Sequence, residues 1–135
     1  MASRLNPYIQ FNGTARAAME FYQGIFGGDL ATNTFAEFGA SSGPDDEDKL
    51  MHGQLETPGG FTLMASDTPV GMPYNPGQNI SISLSGDDAE LREYYEKLAD
   101  GGTVVMPLEK QVWGDEYGQV VDKFGITWMV NVSQG

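Results

Sequence analysis

The chain has 135 residues, 40% of them hydrophobic, and sets 19 Asp and Glu against 7 Lys and Arg for a net charge of −12. That size and apolar share predict one domain over the whole chain with a real core. The acidity would repel a phosphate backbone and an anionic lipid surface, which excludes nucleic acid and membrane as partners. The lack of cysteine excludes disulfides, thiolate metal sites and cysteine nucleophiles. No apolar run reaches the roughly 18 residues of a membrane span, and MASRLNPYIQ lacks the pattern of a signal peptide, so a cytosolic protein is expected.

Tyr8 to Phe11 reads as a short strand closed by Asn12-Gly13. From Ala15 to Phe26 the apolar positions Ala15, Ala18, Met19, Tyr22, Ile25 and Phe26 recur at helical spacing, and Gly27-Gly28 supplies the stop. Strand-like stretches follow at Asp29 to Phe38, Leu50 to Glu56 and Phe61 to Ser66. Between the first two, Ala40 to Asp48 holds turn formers and acid but no apolar anchor, which predicts a mobile surface loop.

The same order then returns. Asn79 to Leu84 alternates as a strand, and a helix is predicted from Asp87 to Asp100. Asp87 and Glu90 have capping-box spacing, Leu91, Tyr94, Tyr95 and Leu98 form its buried stripe, and Gly101-Gly102 ends it. Strands are expected at Thr103 to Leu108, Gly118 to Asp122 and Ile126 to Val132. Phe21-Tyr22 and Tyr94-Tyr95 lie 73 apart (94 − 21), and Gly27 and Gly101 lie 74 apart (101 − 27). The order βαβββ therefore occurs twice, in modules spanning about residues 5–68 and about 78–133. The predicted fold is α+β, with two βαβββ modules forming curved mixed sheets around a pocket.

Strand parity sorts the faces. Ile9 and Phe11 should meet the first helix, and Ile80, Ile82 and Leu84 the second. Asn6, Tyr8 and Gln10, and likewise Asn79, Ser81 and Ser83, then point the other way, with His52, Gln54 and Glu56 facing away from the helix in their own strand. A polar face of this kind is either a ligand site or a plain solvated surface.

Two βαβββ modules with FY in the first helix, the GG pairs, and the run Trp113-Gly114-Asp115-Glu116-Tyr117-Gly118 with Asp122-Lys123-Phe124-Gly125 and Trp128-Met129 resemble the vicinal oxygen chelate superfamily. Glyoxalase I, bleomycin-resistance proteins and extradiol dioxygenases belong there, and the likeness is greatest to its PhnB-like branch. The resemblance implies the glyoxalase/bleomycin resistance fold, and it implies metal ligands on the first and last strands of each module. Within the repeat those positions fall on Asn6 and Asn79, at an offset of 73, and on Met64 and Met129, at 65. Divalent metals in N/O sites want imidazole or carboxylate, so no metal and no cofactor are expected, and no ligand carboxylate is left to move a proton. A methyltransferase reading has no support, because both GG pairs follow helices and cap them.

The expected ligand-binding residues are Tyr8, Gln10, His52, Gln54, Met64, Asn79, Trp113, Tyr117 and Met129. His52 is the sole histidine, either a hydrogen-bonding wall of the pocket or a solvated residue, and one imidazole builds no zinc site. Trp113 and Tyr117 offer stacking faces beside Asp115 and Glu116, Trp128 turns toward the helix, and the two methionines form an adaptable floor. The expected function is metal-independent binding of a small organic molecule in the cleft between the modules, with enzymatic activity left open and a homodimer implied by the resemblance. Alternatives are sequestration of a cationic drug in the manner of bleomycin-resistance proteins, or a lyase or dioxygenase with an unusual metal site near His52.

Overall fold

The computed structural model describes residues 3–41 and 43–134. The chain divides into two compact units that meet in sequence at Pro76 and Gly77. Unit one contains β1 (Tyr8–Phe11), α1 (Ala15–Phe26), β2 (Asp29–Thr34), β3 (Leu50–Glu56) and β4 (Thr62–Asp67). Unit two repeats the order with β5 (Ile82–Gly86), α2 (Glu90–Ala99), β6 (Thr103–Lys110), β7 (Glu116–Val121) and β8 (Thr127–Val132). The sheets run β1-β4-β3-β2 and β5-β8-β7-β6. In each, the first strand lies parallel to the last and the remaining pairs are antiparallel. This is the α+β arrangement of two βαβββ modules read from the repeat.

Each helix covers one sheet face. In α1 all six residues of the expected stripe are buried, and they meet a sheet face that buries Phe11, Leu55, Leu63 and Ala65. In α2 the buried residues are Leu91, Tyr95 and Leu98, with Tyr94 half-buried at the margin. The glycine pairs behind the helices are needed for close approach as well as for stopping. A Cβ on Gly28 would lie 2.1 Å from the Glu56 carbonyl oxygen, and one on Gly102 would lie 2.3 Å from that of Val121. No larger residue fits at either place.

Three expectations are corrected. The strand predicted at Asn79 to Leu84 begins only at Ile82, and Ile80, expected against the helix, is 79% exposed. Alternation alone does not make a strand; β5 is an edge strand paired with β8, which begins at Thr127 opposite Ser81, so Asn79 and Ile80 have no ladder to join.

The second correction concerns capping. Helix α2 starts at Glu90 rather than Asp87, with Ala89 at its N-cap and no side-chain cap bond. Its first amides, from Leu91 and Arg92, donate instead to the Asp88 and Ala89 carbonyls. A capping box does form where none was expected: Thr34 N–H donates to Glu37 Oε1 at 2.9 Å, and Glu37 N–H donates to Thr34 Oγ1 at 3.1 Å. It ends β2 at Thr34, short of the predicted Phe38.

The third concerns the segment after it. Ser42 lies outside the described residues, but around it Asp46 is buried and accepts a 2.7 Å bond from Ser41 Oγ, while Lys49 N–H donates to the Asp46 carbonyl. The segment lacks an apolar anchor, as its composition says, yet it is tied down by a carboxylate.

Candidate functional site

Opposite each helix the sheet presents a second face, and ladder register fixes which residues share it. In unit one a row runs Tyr8, Met64, Gln54, Ala31 across the four strands. In unit two the row is Ser83, Met129, Gln119, Met106. Met64 and Met129, like Gln54 and Gln119, are 65 apart (129 − 64; 119 − 54), whereas Tyr8 and Ser83 are 75 apart (83 − 8). The first strands are thus displaced by two residues from the offset of 73 that the helices keep. This overturns the pairing of Asn6 with Asn79: Asn79 is exposed and precedes β5, so it belongs to no row.

The register also tests whether these faces suit the metal that the resemblance implies. The first-strand and last-strand neighbours are Tyr8 with Met64 and Ser83 with Met129. A phenol, a hydroxyl and two thioethers are poor donors for a hard or borderline divalent cation. Among the described residues no group of three or more His, Asp and Glu side chains converges on a point where an ion could sit. His52, around which an unusual site was the alternative, has Tyr8 and Gln54 as its polar neighbours. The residues do not fit the group.

What the face of unit one does carry is a continuous polar chain. Tyr8 Oη stands 3.4 Å from His52 Nδ1, and His52 Nε2 stands 3.4 Å from Gln54 Oε1. Gln54 Nε2 donates to Glu56 Oε1 at 2.5 Å. Glu56 also accepts from Thr62 Oγ1 at 2.8 Å and from Arg4 at 3.1 Å. These donors, the Arg4 guanidinium first among them, hold the Glu56 carboxyl down at about 2, so it is a carboxylate at any physiological pH. Tyr8 is 50% exposed and its ring lies 5.8 Å from the imidazole. Gln10 continues the same face of β1 beside Ser66 and is exposed.

The face of unit two is built differently. Trp113, 58% exposed, meets Tyr117 edge-on with ring centroids 6.0 Å apart. The Trp113 indole N–H donates to Asn131 Oδ1 at 3.4 Å, and Asn131 Nδ2 donates to Asp115 Oδ2 at 3.0 Å. Tyr117 Oη donates to Gln119 Oε1 at 3.5 Å. The neighbouring Glu116 carboxylate is engaged by the Arg92 guanidinium, which lowers its pKa and neutralises half of the acid in that run. Trp128 is buried and turned to the helix side, its indole N–H on Asp122 at 2.8 Å.

Eight of the nine expected binding residues therefore lie on these faces: Tyr8, Gln10, His52, Gln54 and Met64 on one, and Trp113, Tyr117 and Met129 on the other. Asn79 does not. The set omitted Glu56, Thr62, Arg4, Gln119 and Asn131. Parity had already placed Glu56 beside His52 and Gln54; its part becomes visible only through its partners.

A profile described as the Glyoxalase/Bleomycin resistance protein/Dioxygenase superfamily matches residues 4–130. The crystal structure of protein PA1353 from Pseudomonas aeruginosa superposes with a TM-score of 0.84 at 41% identity, covering 99% of this chain and 100% of that one. The PhnB protein of Bacillus cereus has the same fold, with a TM-score of 0.75 at 23% identity over 97% of this chain and all of that one. YjdN of Escherichia coli K12 is 27% identical over 95% of this chain and 94% of its own length.

Proposed function

The chain belongs to the glyoxalase/bleomycin resistance protein/dioxygenase superfamily, and on that premise we propose that it binds a small organic molecule on the polar sheet faces of its modules without a divalent metal. The observation that supports this is the register: the face positions beside the last strand hold Tyr8 with Met64 and Ser83 with Met129. Thioethers, a phenol and a hydroxyl make an adaptable, hydrogen-bonding floor for an organic ligand and a poor cage for a cation. The proposal includes assembly as a homodimer, which sedimentation velocity checks. No helix among the described residues is long and apolar enough to cross a membrane.

Elemental analysis after dialysis should find no stoichiometric zinc, nickel or iron, and a metal that resists dialysis would overturn the reading. The two tryptophans report binding separately, because Trp113 is 58% exposed and Trp128 only 1%. Titration with a panel of planar organic molecules, neutral and cationic, should quench the red-edge emission of Trp113 saturably, and Trp113→Phe should abolish that response.

A cationic ligand is a second reading, favoured by one feature: Asp115 takes its bonds from the neutral Asn131 and Gln134 groups and forms no ion pair among the described residues, which leaves its negative charge beside Trp113. Binding that weakens steeply with salt would favour this reading, and salt-independent binding would exclude it.

A further inference from the structure

The polar chain of unit one has a direction, and the direction follows from donor and acceptor chemistry alone. A carboxylate only accepts, so the group that Gln54 turns toward Glu56 at 2.5 Å is its amide nitrogen. The other end of that amide, Oε1, then faces His52 Nε2 at 3.4 Å. An oxygen there also only accepts, which puts the imidazole hydrogen on Nε2. A neutral imidazole has one hydrogen, leaving a bare lone pair on Nδ1. The Tyr8 hydroxyl, 3.4 Å away, must donate to it.

We propose that Glu56 is a positioning residue that acts through Gln54 to hold His52 in the Nε2–H form, so that Tyr8 Oη is offered to a ligand as a hydrogen-bond acceptor. With its own hydrogen committed inward, the half-exposed Tyr8 oxygen presents only lone pairs to whatever occupies the face. The matching ligand group is a donor, such as an alcohol or phenol O–H, rather than a carboxylate or an ether. This rests on the small-molecule reading above and names the chemistry that the unit-one face would select.

Unit two supplies an internal control. At the offset of 65, His52 corresponds to Tyr117, Gln54 to Gln119 and Glu56 to Val121 (121 − 56). Gln119 therefore has no carboxylate at that position to orient its amide, and Tyr117 donates to it from 3.5 Å. Unit two's own chain, from the Trp113 indole through Asn131 to Asp115, passes through neither Tyr117 nor Gln119, so of the two equivalent rows only that of unit one ends on a carboxylate.

Because His52 is the only histidine, its two ring nitrogens can be read without assignment from a long-range ¹H–¹⁵N spectrum of the ¹⁵N-histidine-labelled full chain at mildly alkaline pH. The expected result is one tautomer, with hydrogen on Nε2. Glu56→Gln, an isosteric change at an exposed side chain, should give a mixture of both tautomers, and so should Gln54→Met, which removes the amide. An Nδ1–H tautomer in the wild type, or an unmixed spectrum in both variants, would overturn the relay.

The ligand half is tested with phenol and anisole as probes, which share a ring and differ in the donor. Phenol should shift the His52 nitrogens saturably and bind about two- to tenfold more tightly than anisole, the worth of one net hydrogen bond; Tyr8→Phe should erase that preference. Equal binding of the two probes overturns the donor assignment alone. If neither binds, the donor assignment falls together with the small-molecule reading, while the tautomer result stands or falls separately.

Discussion

The two units share a backbone plan and differ in how they satisfy it. Position 67 in unit one corresponds to position 132 in unit two, and position 57 to position 122, both at the offset of 65 that relates β3 and β4 to β7 and β8. In unit one the end of the last strand is Asp67, buried, whose Oδ1 accepts from the Gly13 and Ala15 amides at 2.8 and 3.0 Å and whose Oδ2 accepts from Leu50 at 3.0 Å. Unit two puts Val132 there. Its buried carboxylate is Asp122, back in the turn before β8, where it accepts from the Phe124 and Ile126 amides at 2.8 and 3.1 Å and from the Trp128 indole at 2.8 Å.

Unit one serves the corresponding turn with a neutral residue. Thr57 Oγ1 accepts from the Phe61 amide at 2.9 Å, and the backbone pair from Thr57 N–H to Phe61 O matches that from Asp122 N–H to Ile126 O. A fold duplicated at the level of ladders thus leaves each module to find its own buried anchor. The anchor sits wherever that module leaves amides without a ladder or helix partner.

The largest expected effect comes from removing those anchors. Asp67→Ala would orphan three amides, the buried ones of Ala15 and Leu50 and the part-buried one of Gly13; that of Ala15 lies at the N-terminus of α1, where the carboxylate also meets the positive end of the helix. A loss of about 3–5 kcal/mol in urea unfolding is expected. Asp67→Val copies unit two and should be no milder, since a valine side chain cannot accept from those amides. Asp122→Ala should cost about 2–4 kcal/mol, and Asp122→Thr, copying unit one, should recover part of it by serving the turn but not the indole. If Asp67→Val were nearly neutral, the idea of module-specific anchors would fail.

A smaller effect separates two equivalent glycines of the third strands. A Cβ on Gly118 would lie 2.6 Å from the Tyr95 ring and 3.0 Å from Leu108 Cα, whereas one on Gly53 would find Leu50 at 3.4 Å and Met19 at 3.7 Å. Tyr95 cannot easily retreat, since its hydroxyl donates to the Met106 carbonyl at 2.8 Å. Gly118→Ala should therefore cost about 1–3 kcal/mol through overpacking, and Gly53→Ala less than about 1 kcal/mol. Equal costs would show that the helices sit at the same height in both units.

Local pattern makes much of this legible in the sequence. Helix α1 carries six apolar residues on one stripe, enough to set both of its ends, and the parity of β3 put His52, Gln54 and Glu56 on one face. Long-range relations were not legible. The N-terminus of α1 has no acidic residue in its first turn and no cap bond from Thr14; its carboxylate arrives from Asp67, a partner 52 residues on from Ala15. The alternation before Ile82 has the pattern of a strand because periodicity records what a segment could bury, not whether a neighbour exists to pair with it. The same limit hid the two-residue shift of β5, since only the ladder shows that Ser83 stands beside Met129.

The smallest expected effect distinguishes the two faces by pH. Glu56 has Val121 as its counterpart, so unit two has no matching group. The folded-state pKa of Glu56 lies near 2, below the ordinary 4.5. Folding therefore favours its ionised form, and the stabilisation it gives is fully present above about pH 4.5 and fades as the pH falls toward 2. Arg4 and Glu56 are both about half exposed, so the contribution is small and should shrink further in high salt. The stability gap between wild type and Glu56→Gln, followed by urea unfolding, should be constant above about pH 5 and close on acidification. The carboxyl carbon of Glu56 should meanwhile titrate near pH 2. A gap that widened as the pH fell would mean that Glu56 is held protonated in the fold, and a protonated Glu56 could not orient Gln54.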